Sequence, residues 1–493
     1  MRTRLLCWFS CFLLISPMAL ALSPQIQLPQ GKVTGNLLDS ALTFKGIPYA
    51  QAPLGKLRWQ PPQPIPNNQL AIIQAASYQP QCPQRSDYPT SEDCLFINVF
   101  TDPSLDRSSK RPVLVWIHGG GYVGGSGYMG DDSIQHWVKQ GIVLVSFNYR
   151  LGALGIFSHP NIQADAGANY SVMDMVAALK WVKNNIAEFG GNPQQVTIAG
   201  GSAGGMAIQM LMVTPQSAGL FHGAIAQSGY GSWPFPRANT LNSLPGSASA
   251  ETISAGIAQK ASGIASDEQS LVALNNIPAS RLVEAIDGFH LPIIDGVTLP
   301  EEPGVMFIQG KQHAVPYISG GNSFDGSVYP WSGVPAARLE SLVAQVGGQV
   351  KRAYEIANPG FESLSYQHLF GDLRYVLAAK VTSEGMSQTS APGYRYFFDL
   401  SDNQQGAPHG SEVNVVFRPA KSPAAQIMQS YWRNFITSGN PNGEDLPQWQ
   451  AVNKQGHNWM VLDNNPHLEA TVRPEKLSLL EQAYRLRVQS ILP

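Results

Sequence analysis

Charged residues are scarce in this sequence, and the charges present are nearly balanced. Lysine, arginine, aspartate and glutamate make up 13% of the chain, and 32 basic against 34 acidic residues give a formal net charge of −2. A nucleic-acid-binding surface is strongly basic, so nucleic acid is not expected as a partner. Internal repeats, charge runs and low-complexity linkers are also lacking. We therefore predict a single domain over residues 22–493, with enough hydrophobic residues (43%) for a large core.

Long hydrophobic runs are missing beyond the N-terminus. Arg2 and Arg4 precede an apolar stretch over residues 5–20, and Ala19-Leu20-Ala21 has the small residues of a cleavage site. This order is typical of a secretory signal peptide. We predict a signal peptide over residues 1–21, and a secreted or periplasmic protein with no stable membrane insertion after cleavage. The alternative is an N-terminal anchor, but Pro17 lies late in a run that is barely long enough to span a membrane.

Cysteine is scarce as well. Of four cysteines, Cys7 and Cys11 fall in the predicted signal peptide, which leaves Cys82 and Cys94 in the mature chain. A bridge between these two would close a short loop and stabilise the fold by about 3 kcal/mol on the chain-entropy model. The alternative is two buried free thiols, which an oxidising compartment disfavours.

The sequence does contain one stretch that combines a strand, a sharp turn and a helix. The β-branched run Val196-Thr197-Ile198 leads into Gly200-Gly201-Ser202-Ala203-Gly204, and a helical pattern follows over residues 206–212. A serine on such a turn exposes its hydroxyl at the top of a sheet, beside the positive end of the helix dipole. Ser202 is therefore the candidate nucleophile. The motif alone is weak, because a chain with 47 glycines would contain one by chance in about a third of cases.

A glycine-rich loop follows a second apolar strand. The runs over residues 113–117 and 142–147 are apolar throughout and suit central strands of a parallel sheet. Directly after the first comes His118-Gly119-Gly120-Gly121, a pattern that supplies an oxyanion hole in α/β-hydrolases. We predict the N–H groups of Gly120, Gly121 and Ala203 as its donors. A tight turn that requires positive φ explains the glycines equally well.

A serine nucleophile also needs a base and a carboxylate that orients the base. In the α/β-hydrolase order the acid and then the histidine follow the serine. Asp325 lies just after a predicted strand over residues 315–319, and His409 lies in the loop after a predicted strand over residues 394–398. Because functional groups gather at the carboxyl ends of such strands, Asp325 and His409 complete the predicted triad.

Several other residues compete for these roles. Asp295 lies in a turn and is expected to shape a pocket loop. Asp399 is too close to the end of its strand to reach across to the histidine. Asp174 follows Ser171 by three residues, and this spacing predicts a helix capping box. The other histidines after Asp325 follow no central strand directly and are expected at the surface: His368, His457 and His467.

These elements predict an α/β-hydrolase fold, with a central, mostly parallel sheet flanked by helices. Residues 230–312 are mostly helical in character, and as an insertion after the nucleophile helix they would cover the active site as a lid or pocket wall.

Several segments make the sequence similar to a known family. They are Phe189-Gly190-Gly191 with Gly200–Gly204, Glu92–Val99, Phe44–Ala50, Asn148–Gly152 and Gln227-Ser228-Gly229. Over nearly the whole mature chain, the sequence resembles the type-B carboxylesterases, which include cholinesterases and bacterial para-nitrobenzyl esterases. The resemblance implies ester hydrolysis through an acyl-enzyme, no cofactor, and a disulfide between Cys82 and Cys94. It also supports Ser202, His409 and the three oxyanion-hole residues position by position.

The sequence departs from the family pattern at positions that bear on the substrate. Most members have Glu where this chain has Asp325, and Glu before the nucleophile where this chain has Gly201. The segment from Cys82 to Cys94 is short and contains no Trp, so the aromatic platform with which cholinesterases hold a cation is missing. We therefore expect a monomeric serine esterase for small to medium uncharged carboxylic esters. The alternatives are a lipase or amidase of the same fold, or a catalytically silent binding protein.

Overall fold

The structure is a computed structural model that describes residues 23–162, 167–239, 247–356, 362–453 and 458–491. The predicted signal peptide lies outside the described residues. The strands are β1 (Gln25–Leu28), β2 (Gly31–Thr34), β3 (Asn36–Leu38), β4 (Ala41–Pro48), β5 (Ile72–Gln74), β6 (Phe96–Thr101), β7 (Arg111–Ile117), β8 (Val143–Phe147), β9 (Gly191–Gly201), β10 (Gly223–Gln227), β11 (Tyr317–Asn322), β12 (Gly393–Phe398), β13 (Trp459–Leu462) and β14 (His467–Glu469).

The α-helices flank these strands or lie between them in the chain. They are α1 (Asp131–Lys139), α2 (Gly152–Gly155), α3 (Tyr170–Asn185), α4 (Ala203–Leu211), α5 (Ala250–Ser262), α6 (Leu271–Asn275), α7 (Ala279–Glu284), α8 (Pro303–Ile308), α9 (Ala336–Leu342), α10 (Gly347–Ala353), α11 (Glu362–Gly371), α12 (Leu377–Gly385), α13 (Ser411–Phe417), α14 (Pro423–Ser438) and α15 (Pro474–Gln489). A π-helical turn, Asp372–Val376, joins α11 to α12.

An eleven-stranded sheet forms the centre of the described structure. Its order is β14-β13-β12-β11-β10-β9-β7-β8-β6-β4-β3. The strands from β8 through β13 pair in parallel, and antiparallel pairs occur towards both edges. A second, three-stranded sheet has the order β1-β2-β5. The predicted mostly parallel central sheet is confirmed.

The central strands are apolar on both faces because helices cover both faces of the sheet. All residues of β8, β10 and β11 are buried, as are the last five residues of β7. Two large apolar clusters divide the sheet's side chains: Val113 and Val115 of β7 belong to one, and Leu114 and Trp116 to the other. This two-sided burial explains why the strands read as continuous apolar runs rather than alternating ones.

The segment between β10 and β11 holds α5 to α8 and lies partly against the start of the chain. Its buried residues Ala258 and Leu282 share an apolar cluster with Trp59 and Phe157. The segment also reaches the loop after β7, where the His290 N–H donates to the Gly121 carbonyl at 2.9 Å. This contact places part of the predicted insertion against the predicted oxyanion loop.

The structure contradicts the predicted helix cap at Ser171 and Asp174. Helix α3 begins at Tyr170, and its N-cap residue, Asn169, makes no side-chain capping bond. Ser171 instead donates to the Arg150 carbonyl, and Asp174 binds the Arg150 guanidinium at 2.7 and 2.8 Å. Both charged side chains are almost completely buried, so Arg150 needs this carboxylate as its counter-charge.

Candidate active site

Ser202 occupies the sharp turn between β9 and α4. Its φ of 58° and ψ of −121° lie in a region that residues with a side chain rarely adopt. The turn closes because Gly204 has no side chain: a Cβ there would lie 2.1 Å from the Ile117 carbonyl at the end of β7. Helix α4 begins at the next residue, Ala203, whose N–H is among the helix's free donors. The sequence therefore produces the strand, turn and helix that were predicted.

The glycine-rich loop after β7 lies beside this turn. A Cβ on Gly119 would be 3.2 Å from the Ser202 Cβ. Gly120 and Gly121 have φ values of 105° and 61°, so both use the backbone freedom of glycine. Neither of their N–H groups donates a hydrogen bond to any residue that the structure describes. The loop thus presents two free backbone donors near the serine, with the Ala203 N–H as a third.

The structure brings Asp325 and His409 together. Nδ1 of His409 lies 2.6 Å from Oδ1 of Asp325, and both side chains are at least nine-tenths buried. Their loops are joined as well: the His409 N–H donates to Ser327 Oγ at 3.0 Å, and Asn322 Nδ2 donates to the Pro408 carbonyl at 2.8 Å. The other imidazole nitrogen, Nε2, is buried and has no hydrogen-bond partner among the described residues. It is therefore free to accept a proton, although no hydrogen bond yet joins it to Ser202.

The Asp325 carboxylate is held on its other side by two further donors. Oδ2 accepts the Asn322 N–H at 2.7 Å and lies 2.9 Å from the Ser228 hydroxyl. A Cβ on Gly321 would lie only 2.9 Å from the same oxygen. The loop therefore encloses the Asp325 carboxylate closely. These contacts hold Oδ1 against the imidazole, although aspartate is one methylene shorter than glutamate.

A second buried carboxylate, Glu412, lies next to this pair. One of its oxygens is 3.4 Å from Ser228 Oγ, and the other accepts from Asn322 Nδ2. Burial, and then the charge of Asp325, raises the pKa of Glu412 to about 7. Glu412 was not predicted as a site residue, because a single glutamate before an apolar helical run carries no local signal of burial.

The rival residues have other partners. Asp295 accepts the N–H groups of Ala168 at 2.8 Å and of Thr298 at 2.8 Å, so it shapes its loop as expected. Asp399 accepts from Ser323. His368 and His467 both have intermediate exposure, and the His368 ring contacts the Phe324 ring. Burial lowers the His368 pKa, and His457 lies outside the described residues.

Cys82 and Cys94 are joined by a disulfide with a Cα–Cα distance of 5.0 Å. Both cysteines are buried. The bridge closes the segment that leads into β6. This segment lies on the antiparallel side of the sheet.

The family model described as "Carboxylesterase family" matches residues 22–345 and 340–480.

The chain belongs to the carboxylesterase family.

Membership makes the protein a carboxylic ester hydrolase. Carboxylesterase 1D of Rattus norvegicus is 31% identical over 511 residues, which cover 88% of this chain and 89% of the relative. Cocaine esterase of Homo sapiens is 29% identical over 528 residues, which cover 94% of this chain and 91% of that protein. The similarity therefore extends over almost the full length of each.

Solved structures of esterases share the fold of this carboxylesterase. A PNB esterase has a TM-score of 0.79 at 30% identity, covering 92% of this chain and 99% of that one. EstA of Aspergillus niger has a TM-score of 0.80 at 25% identity, covering 93% and 98%. The predicted α/β-hydrolase fold and the type-B carboxylesterase family are confirmed.

Proposed function

We propose that this carboxylesterase hydrolyses esters with Ser202 as nucleophile, His409 as general base and Asp325 as the orienting acid. The observation that carries the proposal is the buried 2.6 Å contact between Asp325 and His409 Nδ1, while Nε2 has no hydrogen-bond partner among the residues that the structure describes. A carboxylate in that position holds the neutral imidazole with its proton on Nδ1. Nε2 then has the lone pair that a serine nucleophile needs.

The first chemical step follows from these roles. Ser202 Oγ attacks the ester carbonyl carbon while its proton passes to His409 Nε2. Negative charge develops on the carbonyl oxygen, and the N–H groups of Gly120, Gly121 and Ala203 are the donors proposed to stabilise it. Nε2 next gives its proton to the leaving alcohol, and the acyl group remains bound to Ser202 as an ester.

The second step returns the enzyme to its starting state. Water enters after the alcohol has left, and His409 Nε2 takes its proton as the water oxygen attacks the acyl carbon. The same oxyanion donors act again, and the acid leaves as Ser202 Oγ regains its proton from Nε2. No residue outside this set needs to carry a proton.

The proposed substrates are small to medium carboxylic esters without a cationic group. Support comes from the absence of a carboxylate at Gly201, the residue before the nucleophile. A Cβ at this position would lie 2.8 Å from Val413 Cγ2, so an apolar side chain takes the adjacent space. The Cys82–Cys94 segment also contains no Trp that would hold a cation.

We also propose that the protein is exported after cleavage following Ala21 and acts as a single-domain monomer over residues 22–493. The disulfide fits an oxidising compartment. In the part of the chain that the structure describes, every helix is too short or too polar to cross a membrane.

The test is hydrolysis of p-nitrophenyl acetate and butyrate by the purified protein. We expect activity that a single organophosphate adduct abolishes, and mass spectrometry should place that adduct on Ser202. Ser202→Ala should reduce kcat by about a million-fold. An adduct on another residue, or an active Ser202→Ala variant, would contradict the assignment.

A further inference from the structure

Arg374 lies in the π-helical turn Asp372–Val376 and is buried, with 1% of its surface exposed. π-Helical turns inside α-helices occur frequently at functional sites. The Arg374 Cζ atom lies 3.9 Å from the centre of the Tyr230 ring and 4.7 Å from that of Trp233. Three more rings lie within 6 Å of it, and we call the five rings together the aromatic box: Tyr230, Trp233, Phe289, Phe370 and Tyr375.

The charge of Arg374 has no carboxylate partner among the described residues, and this distinguishes it from other buried or partly buried arginines. Arg150, Arg395 and Arg487 pair with Asp174, Glu384 and Glu302, respectively. Even the acid two residues before Arg374, Asp372, pairs with a different arginine, Arg473.

Three donors in the aromatic box are correspondingly unused. Nε and Nη2 of Arg374 and the Tyr230 hydroxyl are all buried without a hydrogen bond of normal geometry in the described part of the chain, and the nearby guanidinium opposes the rise in the Tyr230 pKa that burial causes. Ring faces stabilise a cation only partly. An arginine stays protonated even when buried. The protein therefore holds a permanent positive charge and three free donors at one point.

The aromatic box adjoins the proposed catalytic groups on two sides. The Tyr375 ring centre lies 4.7 Å from that of His409. The Phe289 ring lies against the oxyanion loop, where a Cβ on Gly121 would be 2.4 Å from its Cδ1 atom. Four rings of the aromatic box are buried, whereas Phe289 is partly exposed. Phe289 thus separates the guanidinium from the space beside Gly121.

We propose that Arg374 and the Tyr230 hydroxyl bind a carboxylate of the substrate, so that the preferred esters carry a free carboxylate on their acid or their alcohol. The inference rests on the proposed function, because it places one end of the same substrate. Guanidinium and carboxylate form charge-assisted hydrogen bonds, and these are strong where water is excluded. A carboxylate reaches the guanidinium when the Phe289 side chain turns aside. The expectation of an uncharged ester is then replaced by that of an anionic one.

The test compares matched esters with and without the charge. Monoethyl glutarate carries the carboxylate on the acid, and diethyl glutarate is its uncharged counterpart. The acetate ester of gamma-hydroxybutyrate carries it on the alcohol, and butyl acetate is the uncharged counterpart. Acid release is followed by pH-stat titration. We expect the wild-type kcat/KM to favour the charged member of at least one pair, and that pair identifies the side on which the carboxylate lies.

Arg374→Met removes the charge and keeps much of the side-chain length. We expect it to lower kcat/KM for the charged ester about 10- to 100-fold relative to its uncharged counterpart, as for a lost charge-assisted hydrogen bond. Arg374→Lys should retain part of the preference. The matched control is Arg395→Met, which removes a buried arginine that lies 4.3 Å from the Trp459 ring and pairs with Glu384. This control should leave the ratio unchanged, and a ratio does not depend on the amount of folded enzyme.

The proposal is wrong if wild-type enzyme prefers the uncharged member of both pairs. It is also wrong if Arg374→Met lowers both members of a pair equally, which is the result for a purely structural arginine. Should that variant not fold, glutarate must inhibit butyl acetate hydrolysis by wild-type enzyme competitively, and uncharged glutaramide must not. Failure of the proposed function looks different, since no ester in either pair would then be hydrolysed.

Discussion

Asp325→Asn tests the contact on which the proposed triad depends. In the structure, Oδ2 of Asp325 accepts the Asn322 N–H at 2.7 Å, and Oδ1 faces His409 Nδ1 at 2.6 Å. An amide has one acceptor and one donor end. Its oxygen must face Asn322, because an NH2 group there would set two donors against each other. The NH2 group then faces His409.

The imidazole must respond by changing its tautomer. Nδ1 has to accept from the new amide, so the proton of the neutral ring moves to Nε2. Nε2 can then no longer accept the Ser202 proton. The expected loss in kcat is about ten-thousand-fold, or about 5.5 kcal/mol in activation free energy. KM should change little, because Asp325 is buried behind His409 and does not line the space beside the serine.

The assay is steady-state hydrolysis of p-nitrophenyl butyrate, with circular dichroism to show that the variant folds. Asp325→Glu adds a methylene in a loop where Gly321 and Asn322 already enclose the carboxylate. We expect it to lose about 10- to 100-fold in kcat, as for one displaced charge-assisted hydrogen bond. Asp295→Asn is the control and should affect stability and KM more than kcat, since Asp295 binds backbone N–H groups of its own loop. Asp325 is not the orienting acid if Asp325→Asn stays within a few-fold of wild type while Asp295→Asn loses activity.

Two further predictions concern stability. Because burial and the charge of Asp325 raise the pKa of Glu412 from 4.5 to about 7, the folded protein keeps a proton between these pH values that the unfolded chain releases, and the free energy of unfolding falls as pH rises through this range. Glu412→Gln should remove this contribution, so its melting temperature should fall less than that of wild type between about pH 5 and pH 8; an unchanged pH profile would contradict the raised pKa. Replacing Cys82 and Cys94 with Ser should lower the free energy of unfolding by about 3 kcal/mol in urea titrations, and peptide mapping of wild type that finds two free thiols would contradict the bridge.

Local pattern was sufficient for much of the fold and for the choice of Ser202 as the candidate nucleophile. The strand before Ser202, the glycines around it and the helix after it are contiguous, so their geometry follows from short-range backbone preferences. The apolar runs that form β7 and β8 were also recognisable as central strands. Both faces of these strands are buried, so apolar residues occur at consecutive positions rather than at alternate ones.

The choice of acid depended on contacts that local pattern does not contain. Asp325 and Asp295 both lie in loops that follow apolar segments. Only the tertiary structure shows that Asp325 reaches His409, 84 residues along the chain, while Asp295 turns back to its own loop and to Ala168.

The sequence by itself indicated the family, the central strands and the candidate residues Ser202 and His409, because each strand and each motif lies within a contiguous segment. The tertiary structure alone decided the environments of the buried charges. Asp174 proved to be the partner of Arg150 rather than a helix cap, Glu412 lies beside Asp325, and Arg374 lies among aromatic rings without a described carboxylate partner. The energy of a buried charge depends on groups that the fold gathers from distant segments, and a linear pattern records neither their distance nor the exclusion of water.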